Sequence, residues 1–239
     1  MEQAAYSSPT QGKPVCERSK RSDWVEIAVA YGLIMAVVWT PRPWQWFLWL
    51  VAAAGIVFLL CISFDGWRAL GLRTANFLRS LWIPGAALVL AGAAVVVAAR
   101  LHTLHQPDGN LLAFIKSHGA YAIWTGVQQF LLQGFFLLRF LRVMPDRRLA
   151  ALMASLLFAL AHLPNPILTP ITLIWGFAAC LLFLRYRNLY PLMMAHAILG
   201  ITVAITIPGP VVHNMHVGLG YLTYNPHTHA HGMHHLSQP

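Results

Sequence analysis

The chain has 239 residues, of which 58% are apolar and only 10% are charged, and its mean hydropathy is +0.59. These values exclude an ordinary soluble globular domain. A net charge of +9 would suggest nucleic-acid binding in a soluble protein, but here the basic residues separate long apolar runs, which is typical of a membrane protein. We therefore expect an all-α, polytopic membrane helix bundle that contacts lipid and binds no nucleic acid.

The apolar runs divide the chain into three parts. Residues 1–22 are polar and predict a disordered cytoplasmic tail. Residues 23–207 predict a transmembrane domain, and residues 208–239 predict an extracytoplasmic tail rich in histidine. Seven runs in the middle part predict about seven transmembrane helices at residues 24–39, 44–64, 81–99, 120–140, 149–162, 167–184 and 190–207. Between the second and third, residues 65–80 predict an interfacial amphipathic helix or a basic loop.

The distribution of lysine and arginine predicts the orientation of these helices. With the N-terminus in the cytoplasm, thirteen of the 16 basic residues fall in cytoplasmic segments, as the positive-inside rule requires. The cytoplasmic set is Lys13, Arg18, Lys20, Arg21, Arg68, Arg73, Arg79, Arg139, Arg142, Arg147, Arg148, Arg185 and Arg187. We expect an integral protein of the bacterial plasma (inner) membrane with an extracytoplasmic C-terminus.

Polar side chains inside the apolar runs are candidates for chemistry. The fourth run contains Gln128, Gln129 and Gln133, while His162 closes the fifth run and His196 lies within the seventh. In a helix Gln129 and Gln133 share a face, with Gln128 about 100° away. Burying unpartnered polar groups is costly, so we expect the three glutamines and two histidines to converge on one cavity in the outer half of the bilayer.

Three motifs in these runs resemble those of the CPBP family of intramembrane endopeptidases. They are Gln128-Gln129-x-x-x-Gln133-Gly134, Phe158-x-x-x-His162 and His196-x-x-x-Gly200. The family includes CAAX prenyl proteases and Abi-like bacteriocin-processing proteins, and its motifs are Glu-Glu-x-x-x-Arg, Phe-x-x-x-His and His-x-x-x-Asn on successive helices. The resemblance implies a CPBP-like core at about residues 115–207, in helices four to seven.

The resemblance also implies a hydrolytic site. It assigns catalytic positions to His162, His196 and Gln128, and it assigns Gln129, Gln133, Phe158, Asn165 and Gly200 to the substrate cavity. In the family, the first glutamate and the second-motif histidine are thought to activate water, and the third-motif His and Asn to stabilise the oxyanion. Gln128 replaces that glutamate and Gly200 replaces that asparagine. All seven acidic residues fall in tails, loops or the first turn of the first helix, so we expect no carboxylate in the core.

Three interpretations of this pattern remain open. The first is an atypical intramembrane endopeptidase acting on membrane-associated or lipidated peptides, with no cofactor. The second is a noncatalytic relative, a pseudoenzyme, that binds a peptide or lipid in the same cavity. The third is a metal-dependent membrane enzyme in which His162, His196, His213 and His216 hold a divalent metal ion, because imidazole suits zinc, iron or copper.

The predicted orientation can be tested with reporter fusions. A reporter placed after Pro239 should behave as extracytoplasmic, and one inserted within residues 144–148 should behave as cytoplasmic. The opposite pair of results would mean that the predicted orientation or the predicted number of membrane crossings is wrong.

Overall fold

A computed structural model describes residues 20–64, 66–74, 76–104 and 111–225, without the side chains of residues 111–117. Over these residues the protein is all-helical, with no strand. Most of the two predicted tails, residues 1–19 and 226–239, lies outside the described residues.

Long helical stretches occupy each of the seven predicted positions, with ends within a few residues of those predicted except at the start of the fourth. The helices are α1 (Lys20–Val38), α2 (Arg42–Ile62), α3 (Phe77–Ser80), α4 (Trp82–Arg100), α5 (Leu111–Gln129), a π-helical segment (Phe130–Leu137), α6 (Leu138–Val143), α7 (Arg147–Leu160), α8 (Leu168–Tyr186), α9 (Tyr190–Thr206), α10 (Gly209–Val212) and α11 (Gly218–Leu222). A short 3-10 turn, His213–Met215, follows α10. The predicted fourth helix is the continuous stretch α5, π-helix and α6.

Three of the described helices are long and apolar enough to cross a membrane. They are Arg42–Ile62, Phe77–Arg100 and Leu168–Tyr186, and Tyr190–Thr206 is apolar but shorter. Only 11% of the apolar window of Arg42–Ile62 is buried inside the protein, so most of its apolar surface faces outward, as a lipid-facing helix requires. The helical fold is therefore established with three candidate spans, and the count of seven stays a prediction.

The segment between α2 and α4 forms a loop that packs against the α8–α9 connection. Residues 66–74 are turns, and only Phe77–Ser80 is helical, which matches the predicted basic loop better than an amphipathic helix. Leu189 donates its backbone N–H to the Gly71 carbonyl at 3.0 Å. Gly71 has φ +74°, and a Cβ there would strike the Phe183 ring, so only glycine fits this contact without strain.

A buried ion pair joins α1 to α6. Arg139 donates from Nε to Glu26 Oε2 at 2.8 Å, and the side chains are 1% and 4% exposed. Ser63, after α2, donates its hydroxyl to the same carboxylate at 3.0 Å. A second pair, Arg142 to Asp23 at 2.7 Å, lies beside it. The two pairs therefore bring the N-terminal half of α1, the end of α2 and α6 together.

This network corrects one sequence prediction. Both Asp23 and Glu26 were expected in the first turn of the first helix, outside the core, but α1 begins at Lys20, so Glu26 lies in its second turn. The two residues are 1% and 3% exposed. Their partners are more than 100 positions away in the chain, and hydrophobic patterning carries no information about such a pairing. A carboxylate therefore does lie in the protein interior, although it belongs to the ion pair.

Breaking this pair should destabilise the bundle. Glu26→Gln leaves the Arg139 guanidinium buried without a counter-charge, and we expect a loss of about 3 kcal/mol in the free energy of unfolding. The double variant Glu26→Gln, Arg139→Met removes both charges, so its loss should be smaller than the sum of the two single losses. Thermal unfolding in detergent measures this cycle, with exposed Arg148→Gln as the control. Additive losses would contradict the coupling.

Candidate functional site

The principal cavity of the described part of the chain has a volume of about 1110 Å³. It is lined by α1, α2, α4, α5, α7, α8 and α9, and it lies toward the C-terminal ends of α1, α4, α7 and α9. The charge pattern of the sequence predicts that this half of the bundle faces the outside of the membrane. The walls are mainly Leu, Ile, Val, Ala and aromatic side chains, and no charged residue is among those that line the cavity.

The three residues predicted to be catalytic all line this cavity. Gln128 reaches it from the last turn of α5, His162 from the turn after α7, and His196 from within α9. Gln128 and His162 are half-buried, whereas His196 is only 6% exposed. The structure thus places one side chain from each of the three motifs in the lining of the same cavity.

Aromatic contacts fix the two histidines relative to each other. The Phe158 ring makes edge contacts with His162 at 4.9 Å and with His196 at 5.9 Å between ring centroids. Trp175 lies 6.0 Å from His196 on the other side. Gly176 leaves room for the Phe158 ring, because a Cβ at position 176 would approach that ring to 3.1 Å. Phe158 therefore acts as the shared support of both imidazoles.

Hydrogen bonding determines which nitrogen of His162 is free. His162 Nδ1 lies 2.7 Å from the carbonyl oxygen of Phe158, and a carbonyl only accepts, so Nδ1 carries the proton. In the neutral ring Nε2 is then an unprotonated acceptor, which is the form a general base requires. Nearby, His196 Nδ1 and Trp175 Nε1 are buried and have no partner among the described residues.

Tyr121 is a cavity residue that the sequence analysis missed. It is half-buried in α5 and lines the cavity beside Gly200 of α9. A Cβ added at Gly200 would collide with the Tyr121 hydroxyl and ring. The Tyr121 ring therefore fits only because position 200 has no side chain. Its hydroxyl occupies the space that a side chain at position 200 of the third motif would fill. The two residues belong to different helices, so no local motif connects them.

Gln129 and Gln133 do not line the cavity, contrary to the prediction. Both are 0% exposed and lie at the junction of α5 with the π-helical segment. Their amide nitrogens and oxygens have no hydrogen-bond partner among the described residues. The helical wheel placed them about 100° from Gln128, and that rotation turns them into the packed interior while Gln128 faces the cavity.

Asn165 is also not a cavity residue, although it was predicted to be one. Its side-chain amide donates to the carbonyls of Val212 and His216 at 2.9 and 3.1 Å. Its Oδ1 accepts from the backbone N–H groups of Ile167 and Leu168 at 3.1 and 3.0 Å. These four hydrogen bonds stabilise the start of α8 and connect it to Val212 and His216 at and after the end of α10.

The predicted four-histidine metal site is not assembled. His213 stacks on Tyr221 and Tyr224, with ring centroids 4.0 and 4.9 Å away, and neither His213 nor His216 lines the cavity. Among the described residues, no three His, Cys, Asp or Glu side chains form a group that could hold a metal ion. The three-residue spacing of His213 and His216 suggested a helical pair, but the 3-10 turn there has left-handed backbone angles.

One comparison with known proteins gives a match. Residues 122–202, about a third of the chain, match the family model described as Rce1-like, type II CAAX prenyl endopeptidase. No curated protein and no solved structure matches the chain. The matched residues contain all three motifs, from Gln128 to Gly200, and together with the three apolar helices they make this an integral membrane protein. The resemblance predicted from the motifs is therefore confirmed over residues 122–202, which are similar to the type II CAAX prenyl endopeptidase Rce1-like family.

Proposed function

We propose that this protein is an atypical intramembrane endopeptidase that cleaves a membrane-associated peptide in the 1110 Å³ cavity. The observation that carries the proposal is the convergence of Gln128, His162 and His196 on that cavity, within a segment that matches a CAAX endopeptidase family. The positive-inside distribution supports a bacterial plasma membrane orientation with the N-terminus in the cytoplasm.

The cavity favours an uncharged, apolar substrate segment. No described lysine, arginine, aspartate or glutamate lines it, and its volume of about 1110 Å³ slightly exceeds the usual range for ligand pockets. A charged side chain entering such a space would lose its hydration without gaining a counter-charge. The substrate class that fits is therefore a membrane-embedded peptide with neutral side chains, or a lipidated peptide whose chain occupies the apolar walls.

In the proposed reaction His162 is the general base. Its Nε2 takes a proton from a water molecule as the water oxygen attacks the peptide carbonyl, and the resulting imidazolium returns the proton to the leaving amine. Gln128 holds the water through its amide. The Tyr121 hydroxyl and a ring N–H of His196 donate to the oxyanion, since a donor is worth more in a site without bulk water. Without a carboxylate to stabilise the imidazolium, turnover should be slow.

A noncatalytic alternative is favoured by a specific observation. The described residues that line the cavity include no carboxylate and no other charged group, so their polar side chains are neutral donors and acceptors. Such a set can bind a peptide or lipid by hydrogen bonds and apolar contact without cleaving it. In that case a bound peptide should stabilise the protein and be recovered intact.

The peptidase proposal is tested by substitution of His162. We expect His162→Ala to lower the cleavage rate of membrane-anchored reporter peptides in proteoliposomes at least a hundredfold, because it removes the base. Cleavage products are followed by mass spectrometry. The matched control is His102→Ala, since His102 is exposed and outside the cavity. Intact peptide with wild-type protein, together with peptide-dependent stabilisation, would favour the noncatalytic alternative instead.

The Tyr121–Gly200 contact gives a separate prediction. Gly200→Ala should destabilise the protein by about 1–3 kcal/mol, because the new methyl group overlaps the phenol. Replacing Tyr121 with leucine in the same chain should recover part of that loss. Gly92→Ala is the matched control, because nothing lies within 4 Å of a Cβ at Gly92. Equal losses for Gly200→Ala in the presence and absence of Tyr121, measured by thermal unfolding, would contradict the contact.

Tyr121→Phe isolates the hydroxyl itself. It keeps the ring against Gly200 and removes one hydrogen bond, so we expect an unchanged unfolding temperature and roughly tenfold weaker cleavage or peptide binding. Unchanged activity would remove Tyr121 from the proposed oxyanion site.

A further inference from the structure

A second cavity, of about 530 Å³, lies at the opposite end of the bundle from the first. It is lined by Arg68, Leu72, Arg73, Thr74 and Tyr190, and so it lies between the α2–α4 loop and the start of α9. Two guanidinium groups and two hydroxyls thus face one small space. The charge pattern of the sequence predicts that this end of the protein faces the cytoplasm.

Positive charge accumulates around this second cavity with no paired carboxylate among the described residues. Arg187 lies near both Arg73 and Arg147, and burial first, then the positive charges of Arg147 and Arg73, lower the pKa of Arg187. None of Arg68, Arg73, Arg147 and Arg187 has a carboxylate partner within the described part of the chain. Keeping like charges this close is unfavourable unless an anion balances them.

The walls of the second cavity are held in place by the backbone. Arg73 donates from Nε to the Arg187 carbonyl at 3.1 Å, and its two terminal nitrogens make no hydrogen bond within the described part of the chain. Together with the bond from Leu189 to Gly71, this contact fixes the loop against the α8–α9 connection. Tyr190 is the first residue of α9, and its backbone N–H donates to Asn188 Oδ1 at 3.1 Å, which holds this wall of the cavity in place.

Aromatic side chains place this cavity at the depth of the lipid headgroups. Trp67, next to Arg68, is 65% exposed and packs edge-on against Phe64 at 5.1 Å. Trp82 donates from its indole N–H to the Tyr186 hydroxyl at 3.1 Å at the same end of the bundle. Exposed tryptophan and hydrogen-bonded tyrosine are typical of the membrane interface.

We propose that this cavity binds the phosphate group of an anionic lipid headgroup. Arg73 and Arg68 would pair with the phosphate oxygens, Arg fork geometry being suited to phosphate, and the Thr74 and Tyr190 hydroxyls would donate to the remaining oxygens. Basic pockets between helices on the cytoplasmic side are known to bind such headgroups. The proposal is independent of the proposed peptidase function.

The test measures lipid binding to the purified full chain by native mass spectrometry. Phosphatidylglycerol is titrated against Arg68→Gln, Arg73→Gln and wild type, with phosphatidylcholine and inorganic phosphate as separate arms. Each variant should bind phosphatidylglycerol roughly fivefold more weakly than wild type. Arg68→Gln separates a loss of lipid binding from a loss of folding. Exposed Arg68 makes no hydrogen bond or ion pair within the described structure, so its replacement should leave the fold intact.

Arg79→Gln is the matched control, since Arg79 is an exposed arginine in the adjacent helix α3 and does not line this cavity. Tight binding of phosphatidylglycerol that depends on Arg68 and Arg73 but not on Arg79 supports the proposal. If inorganic phosphate binds with the same affinity as phosphatidylglycerol and also depends on the two arginines, the site binds free phosphate, and the lipid proposal is wrong. An equal loss for Arg79→Gln, or no loss for Arg68→Gln, overturns the site altogether.

Discussion

The buried ion pair between Glu26 and Arg139 is the interaction that orders this bundle. In an apolar surrounding a lone guanidinium or carboxylate is very costly, so each residue restricts the position of the other's helix. With Ser63 on the same carboxylate, the pair aligns α1, the end of α2 and α6 at one end of the protein. The large cavity lies toward the other end, between the C-terminal ends of α1, α4, α7 and α9.

This arrangement separates the charged side chains from the large cavity along the length of the helices. Paired charges and the arginine-lined second cavity occupy one end, whereas the described residues that line the large cavity at the other end include no charged side chain. His162 donates from Nδ1 to the Phe158 carbonyl, so its Nε2 is free to accept a hydrogen bond. Among the described residues, the large cavity is thus lined by neutral hydrogen-bonding groups, and a neutral imidazole is the strongest base among them.

The helical fold and the central three residues of the site could be predicted from the sequence, because apolar runs set helix ends and motif spacing sets which faces meet. The rest depends on contacts between distant segments. Glu26 was expected in the first turn of the first helix, outside the core, since its partner Arg139 is 113 positions away. Asn165, predicted to line the cavity, instead satisfies four backbone groups, and Tyr121 was missed because its neighbour Gly200 is on another helix. The spacing of apolar residues along the chain does not predict such contacts between distant segments.

The contact between Tyr121 and Gly200 also constrains how this chain can change over evolutionary time. A side chain at position 200 overlaps the phenol, so a larger residue is disfavoured there while Tyr121 remains. The residues that one helix tolerates therefore depend on the residue that the other helix carries, which is epistasis in its simplest physical form. A change from Gly200 to a larger residue is least costly when a smaller residue at position 121 has cleared the space first.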